Sequence, residues 1–444
     1  MSSLRPVARV HLIDSIREAA FLVGGSRRDY DPLLEMAQGA RFVLLGEATH
    51  GSHELYRERA RITQRLIAEQ GFNGVVVEAD WPDAERANRW AQGFPGDGSA
   101  EQALGGFRRF PVWMWRNTVV VEFLSWLREQ NAVSRRAPAV FHGMDLYSLY
   151  ASMDAVVKYL ARRDPEAAAR ARERYGCFEM PGRSDGGGEA YGRATRFGSM
   201  DPCEEEAVQQ LVEIQRRAAG ARDPDLFSAE QNARLACNAE VYYRAMFGSR
   251  ISTWNLRDRH MHETIEAIAD WLSRRDGYAR LVVWAHNSHL GDARATDMGE
   301  EGELNVGQLL RERHGPRTVL VGFTTFEGTV TAADEWGGPP ERMTVRPGLP
   351  GSVEELFHEV ALPRFLLPFR GAGEALGELR EPLLERAIGV VYRPRSERQS
   401  HYFQARVAAQ FDAVVHVDRT RAVEPLERSD FASAEPPETF PSAL

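Results

Sequence analysis

Short apolar runs that end in glycine or an ionisable residue alternate with amphipathic segments along the first 150 positions. Phe42-Val43-Leu44-Leu45 is an unbroken apolar run closed by Gly46, the pattern of a parallel strand buried on both faces. Ile62, Leu66 and Ile67 then recur at helical spacing among Arg and Glu. Gly71 ends that helix, and Val75-Val76-Val77 starts the next strand. The same reading predicts strands over Ala139 to Asp145, Arg280 to Ala285 and Thr318 to Phe323, the last extended by a polar β-rich stretch through Val330. Ala387 to Tyr392 and Ala413 to Val417 are two further expected strands. Helices are expected over residues 11–23, from Pro32, over 81–90 with Pro82 in the first turn, and over Glu101 to Arg109. Two more are expected, over Val112 to Gln130 and over Asn305 to His314, the second capped by Asn305.

From about Ala151 to Arg275 the strand signals stop. Helical periodicity appears near 151–163, 203–219, 227–247 and 256–275, with a loop carrying Gly182, Gly186, Gly187 and Gly188 between. The pattern predicts an α/β fold: a central, mostly parallel sheet flanked by helices, with a helical, lid-like insertion. Residues 1–150 and 276–444 make the α/β core, 151–275 the insertion, and 420–444 a polar surface tail. A moving lid and a fixed helical subdomain fit the insertion equally.

Composition narrows the partners. The chain has 444 residues, 43% hydrophobic and 27% charged, enough for a large core. A formal net charge of −9 argues against nucleic acid as partner. No apolar run approaches the roughly 18 residues of a membrane span, and the opening MSSLRPVARVHL has no long apolar stretch of a signal peptide. Cys177, Cys203 and Cys237 are few, odd in number and without metal-ligand spacing, so ordinary thiols in a reducing cytoplasm are expected.

The chemistry collects at strand ends. Glu47 and His50 follow the first strand, Glu78 and Asp80 the second, Asp145 the third, and His286 and His289 the fourth. Ligands of open parallel sheets sit outside the carboxyl ends of the strands. A His held by a carboxylate suits a general base for water, and a second His pair suits a developing oxyanion. Singly, each His reads as an ordinary hydrogen-bonded residue; the five groups Glu47, His50, Glu78, His286 and His289, at three strand ends, read as a site. His50-Gly51-Ser52-His53 and His286-Asn287-Ser288-His289 share H-x-x-H spacing that a zinc ion can use, but no H-E-x-x-H is present. Gly182-Arg183-Ser184-Asp185-Gly186 matches G-x-S-x-G without the strand and helix of a nucleophile elbow. Phe107, Phe110, Trp113 and Trp115 are expected to wall a substrate pocket or to pack in the core. Of Arg57, Arg59 and Arg61, any that faces the strand ends can clamp a carboxylate or carbonyl.

Together these motifs resemble the erythromycin esterase family. The residues that carry the resemblance are Gly46-Glu47-Ala48-Thr49-His50-Gly51, Arg59, Val77-Glu78-Ala79 and Trp284-Ala285-His286-Asn287-Ser288-His289. Gly106 to Pro111 and Gln399-Ser400-His401-Tyr402-Phe403 extend it. The resemblance implies an α/β core with a helical lid. It also implies hydrolysis of a macrolactone ester by water, without a covalent intermediate, cofactor or required metal. His50 would be the general base, Glu47 and Glu78 would orient it or the water, and Arg59, His286 and His289 would complete the site. The macrolide-resistance members carry an apolar or aromatic residue directly after the His, whereas this chain has Gly51-Ser52-His53. It therefore resembles the environmental branch, whose substrates are mostly unassigned. The expectation is a cytoplasmic, metal-independent carboxylic ester or lactone hydrolase acting on a small molecule. Its rivals are a metal-dependent hydrolase on the same residues and a non-catalytic binding protein.

Overall fold

The fold is seen in a computed structural model, which describes residues 6–179, 187–247, 250–371 and 373–427. The G-x-S-x-G loop lies outside the described residues, as does 428–444 of the expected tail.

Nine described strands form one sheet in the order β1-β8-β11-β6-β2-β5-β3-β4, with β7 beside β6. They are β1 (Phe21–Leu22), β2 (Phe42–Leu45), β3 (Gly74–Asp80), β4 (Val140–Asp145), β5 (Leu281–Trp284), β6 (Thr318–Ala332), β7 (Glu341–Val345), β8 (Arg364–Pro368) and β11 (Ala413–Thr420). The six central strands β11-β6-β2-β5-β3-β4 pair in parallel, and β1, β7 and β8 are antiparallel additions. The fold is α/β with a mostly parallel sheet. β9 (Leu383–Arg386) and β10 (Tyr402–Ala405) pair with each other away from it.

The unbroken apolar runs have a direct cause. Val43 and Leu45 point into a core shared with Ile62 and Leu66 of the helix His53–Gln70. Phe42 and Leu44 point into the opposite core. Both faces are covered, so no position in β2 can be polar. Burying each large aliphatic side chain here contributes about 1.5–3 kcal/mol. Gly71 closes the helix in the left-handed conformation at φ 72°, where a Cβ is disfavoured. The segment 151–275 holds the helices Leu149–Arg163, Pro165–Tyr175, Gly187–Arg196, Glu204–Ala218, Pro224–Ala245 and Arg250–Asp276. Its Met153, Val156, Tyr191 and Ile265 belong to the same apolar cluster as Phe42 and Leu44 of the sheet.

Several expectations need correction. The helix read over Val112 to Gln130 begins at Thr118, because Asn117 caps it: Asn117 Oδ1 accepts the Val120 N–H while its amide donates to the Trp113 and Met114 carbonyls. Ala387–Tyr392 is not a sheet strand. It crosses the strand ends, donating Ile388 N–H to the Ala48 carbonyl, and is apolar because that crossing is buried. The polar end starts as packed chain: Val423 N–H donates to the Gly51 carbonyl, and Pro425 bridges Asn117. Cys177 and Cys203, read as separate thiols, are a bonded pair with Cα atoms 6.0 Å apart; only the fold brings together positions 26 residues apart. Among the described residues, no helix is long and apolar enough to cross a membrane.

Candidate active site

Strand order, more than chain order, assembles the site. β2, β5, β3 and β4 are neighbours, so the ends carrying Glu47 and His50, His286 and His289, Glu78 and Asp80, and Asp145 form one row. Two glycines let the row close up. A Cβ on Gly46 would lie 2.2 Å from Asn287 Oδ1, and that amide clips β5 to β6 by donating to the Phe323 carbonyl and accepting its N–H. A Cβ on Gly51 would lie 1.8 Å from the Thr331 carbonyl oxygen, so the residue after His50 is Gly for want of space.

His50 is 7% exposed, and its Nδ1 lies 2.8 Å from Glu47 Oε1. Glu47 therefore accepts the Nδ1 proton's hydrogen bond and leaves the Nε2 lone pair as the base. Glu47 Oε2 is 2.6 Å from Arg59 Nη2, an ion pair whose N–H is poorly aligned for a hydrogen bond. The Arg59 guanidinium packs over Tyr56 and Trp284, 4.6 and 5.2 Å from their ring centres. The His286 ring is 4.9 Å from that of His50. Its Nδ1 accepts the Ser288 N–H at 3.3 Å, which puts the neutral ring's proton on Nε2. Burial first, and then His50, push the His286 pKa well below the usual imidazole value. Its Nε2 is buried, and the Ala48 backbone beside the ring favours a proton there.

The other half of the row is an ion network. Arg257 donates Nε and Nη2 to Asp145 at 3.0 and 2.7 Å, and Nη2 also to Glu78 Oε1 at 2.7 Å. Its Nη1 lies 3.0 Å from His289 Nε2. Glu78 Oε2 accepts the His286 N–H at 2.9 Å. His289 Nδ1 is 2.9 Å from Asp258 Oδ2, and its ring stacks on Trp254. Burial alone would raise the Glu78 carboxyl, but His289 and Arg257 outweigh it and hold it well below the carboxylate range. Burial likewise opposes a charged His289, and Asp258 and Glu78 overcome that to raise its pKa.

These groups line a cavity of about 430 Å³ at the strand ends, a size suited to a small molecule. His50, Glu78, His286 and His289 are on its wall, with Phe107, Phe110 and Trp115. Glu47 and Arg59 stand behind His50, so Arg59 supports Glu47 and does not reach a substrate. Trp113 is not on the wall; it packs edge-on beneath Phe110. Arg57 and Arg61 pair with Glu58, away from the cavity. Sequence reading missed Trp254, Arg257 and Asp258, all from the helix Arg250–Asp276, and Tyr147, Trp336 and Met298 on the wall. His401 to Phe403 also lie there. The second His of the first H-x-x-H, His53, meets Arg421, and His289 meets Asp258. Among the described residues, no three His, Cys, Asp or Glu side chains are arranged to hold a metal ion.

An oriented imidazole on a cavity wall at the ends of parallel strands is an arrangement suited to activating water in an α/β fold. A sequence model of erythromycin esterase matches residues 67–420, and the chain belongs to that family, as a hydrolase of esterase-like kind. The Glu47–His50 turn and Arg59 precede the matched range. The Bacillus subtilis protein YbfO is 21% identical over 384 residues, 81% of this chain and 81% of its own. Erythromycin esterase type I of Escherichia coli is 20% identical, covering 88% of this chain and 93% of its own. The erythromycin esterase EreC, a mutant in its open conformation, superposes with a TM-score of 0.66 at 19% identity over 91% of this chain and 96% of its own, a likeness of fold.

Proposed function

We propose that the chain hydrolyses a carboxylic ester or lactone with water activated by His50. Glu47, backed by Arg59, fixes the Nδ1 tautomer. Nε2 takes a proton from water as the water attacks the carbonyl carbon. The carbonyl oxygen, gaining charge, receives a hydrogen bond from the His286 ring on the cavity wall. When the tetrahedral intermediate collapses, His50 returns its proton to the departing alkoxide. The Glu78–Arg257–His289–Asp258 network holds the His286 backbone and the cavity floor in place. The observation that carries this reading is a carboxylate-oriented His50 whose ring lies 4.9 Å from that of His286 on one cavity wall.

Because erythromycin esterases are relatives, 14- and 16-membered macrolactones head the substrate panel, followed by simple lactones and aryl esters. Mass spectrometry should find addition of one water by wild type and none by His50→Gln. Full activity in His50→Gln would sink the base assignment. Turnover that vanishes with chelator would transfer the reaction to a metal-dependent route.

A further inference from the structure

The chain that crosses the strand ends, Ala387–Tyr392, is a strap over the His50 turn. Ile388 N–H donates to the Ala48 carbonyl at 2.9 Å, and the Ile388 carbonyl accepts the His50 N–H at 3.3 Å. The strap therefore holds the backbone on both sides of Thr49, inside the turn that sets Glu47 Oε1 against His50 Nδ1. Its far end is tied to Ala333, just after β6, through the Val390 carbonyl and the Tyr392 N–H. Both ends of the strap also meet one residue, His401. Ala387 N–H donates to the His401 carbonyl at 2.8 Å. Arg393 N–H, just past Tyr392, donates to His401 Nε2 at 2.9 Å.

His401 is 4% exposed, and its ring centre lies 5.3 Å from that of Tyr392. Its own N–H donates to the Glu397 carbonyl at 2.8 Å, which anchors it to the short helix Glu397–Ser400. Accepting at Nε2 puts the neutral ring's proton on Nδ1, and the Ala387 backbone beside the ring favours a proton on it. Burial first, opposed by that backbone and helped by Arg386 and Arg393, pushes the imidazole down to about 4. The ring thus stays neutral near physiological pH and keeps the acceptor that Arg393 N–H needs.

We propose that His401 is a positioning residue for the His50 step: by gripping Ala387 and Arg393 it fixes the strap, and the strap fixes the Glu47–His50 turn. It rests on the reading of His50 as the base. The aim of a reacting group matters this much because a misplacement of about 1 Å can cost about 100-fold in rate. His401 also lies on the cavity wall, so the rival role is direct contact with substrate.

Gln and Asn separate the two ring nitrogens. A Gln amide reaches as far as Nε2 and can accept the Arg393 N–H, whereas an Asn amide reaches only as far as Nδ1. Steady-state kinetics of the full chain, on an ester or lactone that wild type cleaves, should find kcat of His401→Asn down by about 10- to 100-fold and that of His401→Gln within about threefold of wild type, with KM changed by less than about threefold in both. Equal kcat in the two variants overturns the proposal. So does a raised KM at wild-type kcat, which would make His401 a substrate-binding group. Should melts show that His401→Asn does not fold, a kcat of His401→Gln below about a tenth of wild type overturns it as well. A readout without substrate separates this failure from that of the hydrolase reading. In protein labelled with ¹⁵N-histidine, the proton between His50 Nδ1 and Glu47, identified by its loss in His50→Gln, should persist in His401→Gln and exchange faster in His401→Asn. Its absence from wild type, or unchanged exchange in His401→Asn, overturns the proposal whether or not any ester is cleaved.

Discussion

The two halves of the strand-end row are built from similar residues and do opposite things with them. Around Glu78, Arg257, His289 and Asp258, the charged groups answer one another within about the length of a hydrogen bond. Around His50 and His286, one nitrogen of each ring is tied to protein and both rings line the cavity. A satisfied network is rigid and inert, because moving a proton or a side chain breaks several charge-assisted bonds. The rings beside it lie on the cavity wall, where we propose they meet water and a carbonyl. The comparison supports our proposal that the first half positions and the second half reacts, although both carry a histidine with a carboxylate.

Substitutions can break that contrast. The largest loss of activity belongs to the open half: His50→Gln should lower kcat by about 100- to 10,000-fold with the fold intact, checked by steady-state rates and circular dichroism. The largest loss of stability belongs to the closed half. Arg257→Met leaves Glu78 and Asp145 buried without their cation, and denaturant melts should show a cost of about 3–5 kcal/mol. If instead His50→Gln unfolds the chain and Arg257→Met does not, the assignment is reversed.

Gly51→Ala should cost about 1–3 kcal/mol, because its Cβ meets the Thr331 carbonyl and the His50 turn must shift. It should also weaken catalysis through that shift, which an apolar-to-apolar change at Ile388 would not do.

The smallest effect is in pH. His289 is raised by Asp258, so the stability it contributes is full below its unfolded pKa of about 6.5 and lost as pH rises through the folded value. His286 is lowered, so its contribution is present above about 6.5 and lost as pH falls. Asp258→Asn removes only the first term. Relative to wild type it should lose more stability at pH 6 than at pH 9, by thermal melts in matched buffers. An equal loss at both would mean that His289 carries no charge.

Much of this site was legible because its residues adjoin apolar runs. Glu47, His50, His286 and His289 each follow a strand within a few positions, Glu78 lies near the end of β3, and a parallel sheet puts such ends on one edge. What chain order hides is the strand order that places β5 between β2 and β3, and thus His286 beside His50 rather than merely on the same edge. Arg257 and Asp258 come from a helix far along the chain. A signal for Asp258 existed, since it occupies the stripe that continues through Met261, Ile265, Ile268 and Leu272, where an apolar side chain is expected. Arg59 likewise shares the buried stripe of Ile62 and Leu66, which explains why it lies behind Glu47. Trp113 and Trp115 could not be separated, because the short turn Val112–Met114, and no helical period, sets which ring faces the cavity. Ala387–Tyr392 had the composition of a strand because burial, and not pairing, demands it.

The division of the row turns on His50 acting on water in the transition state. The decisive experiment is kcat and KM for wild type and His50→Gln on an ester or lactone that wild type cleaves, run in ¹⁸O-water with the acid product weighed. A His50 base requires label in the acid product, kcat down by about 100-fold or more and KM changed by less than about threefold. Wild-type kcat in His50→Gln, with label still entering the product, would contradict it.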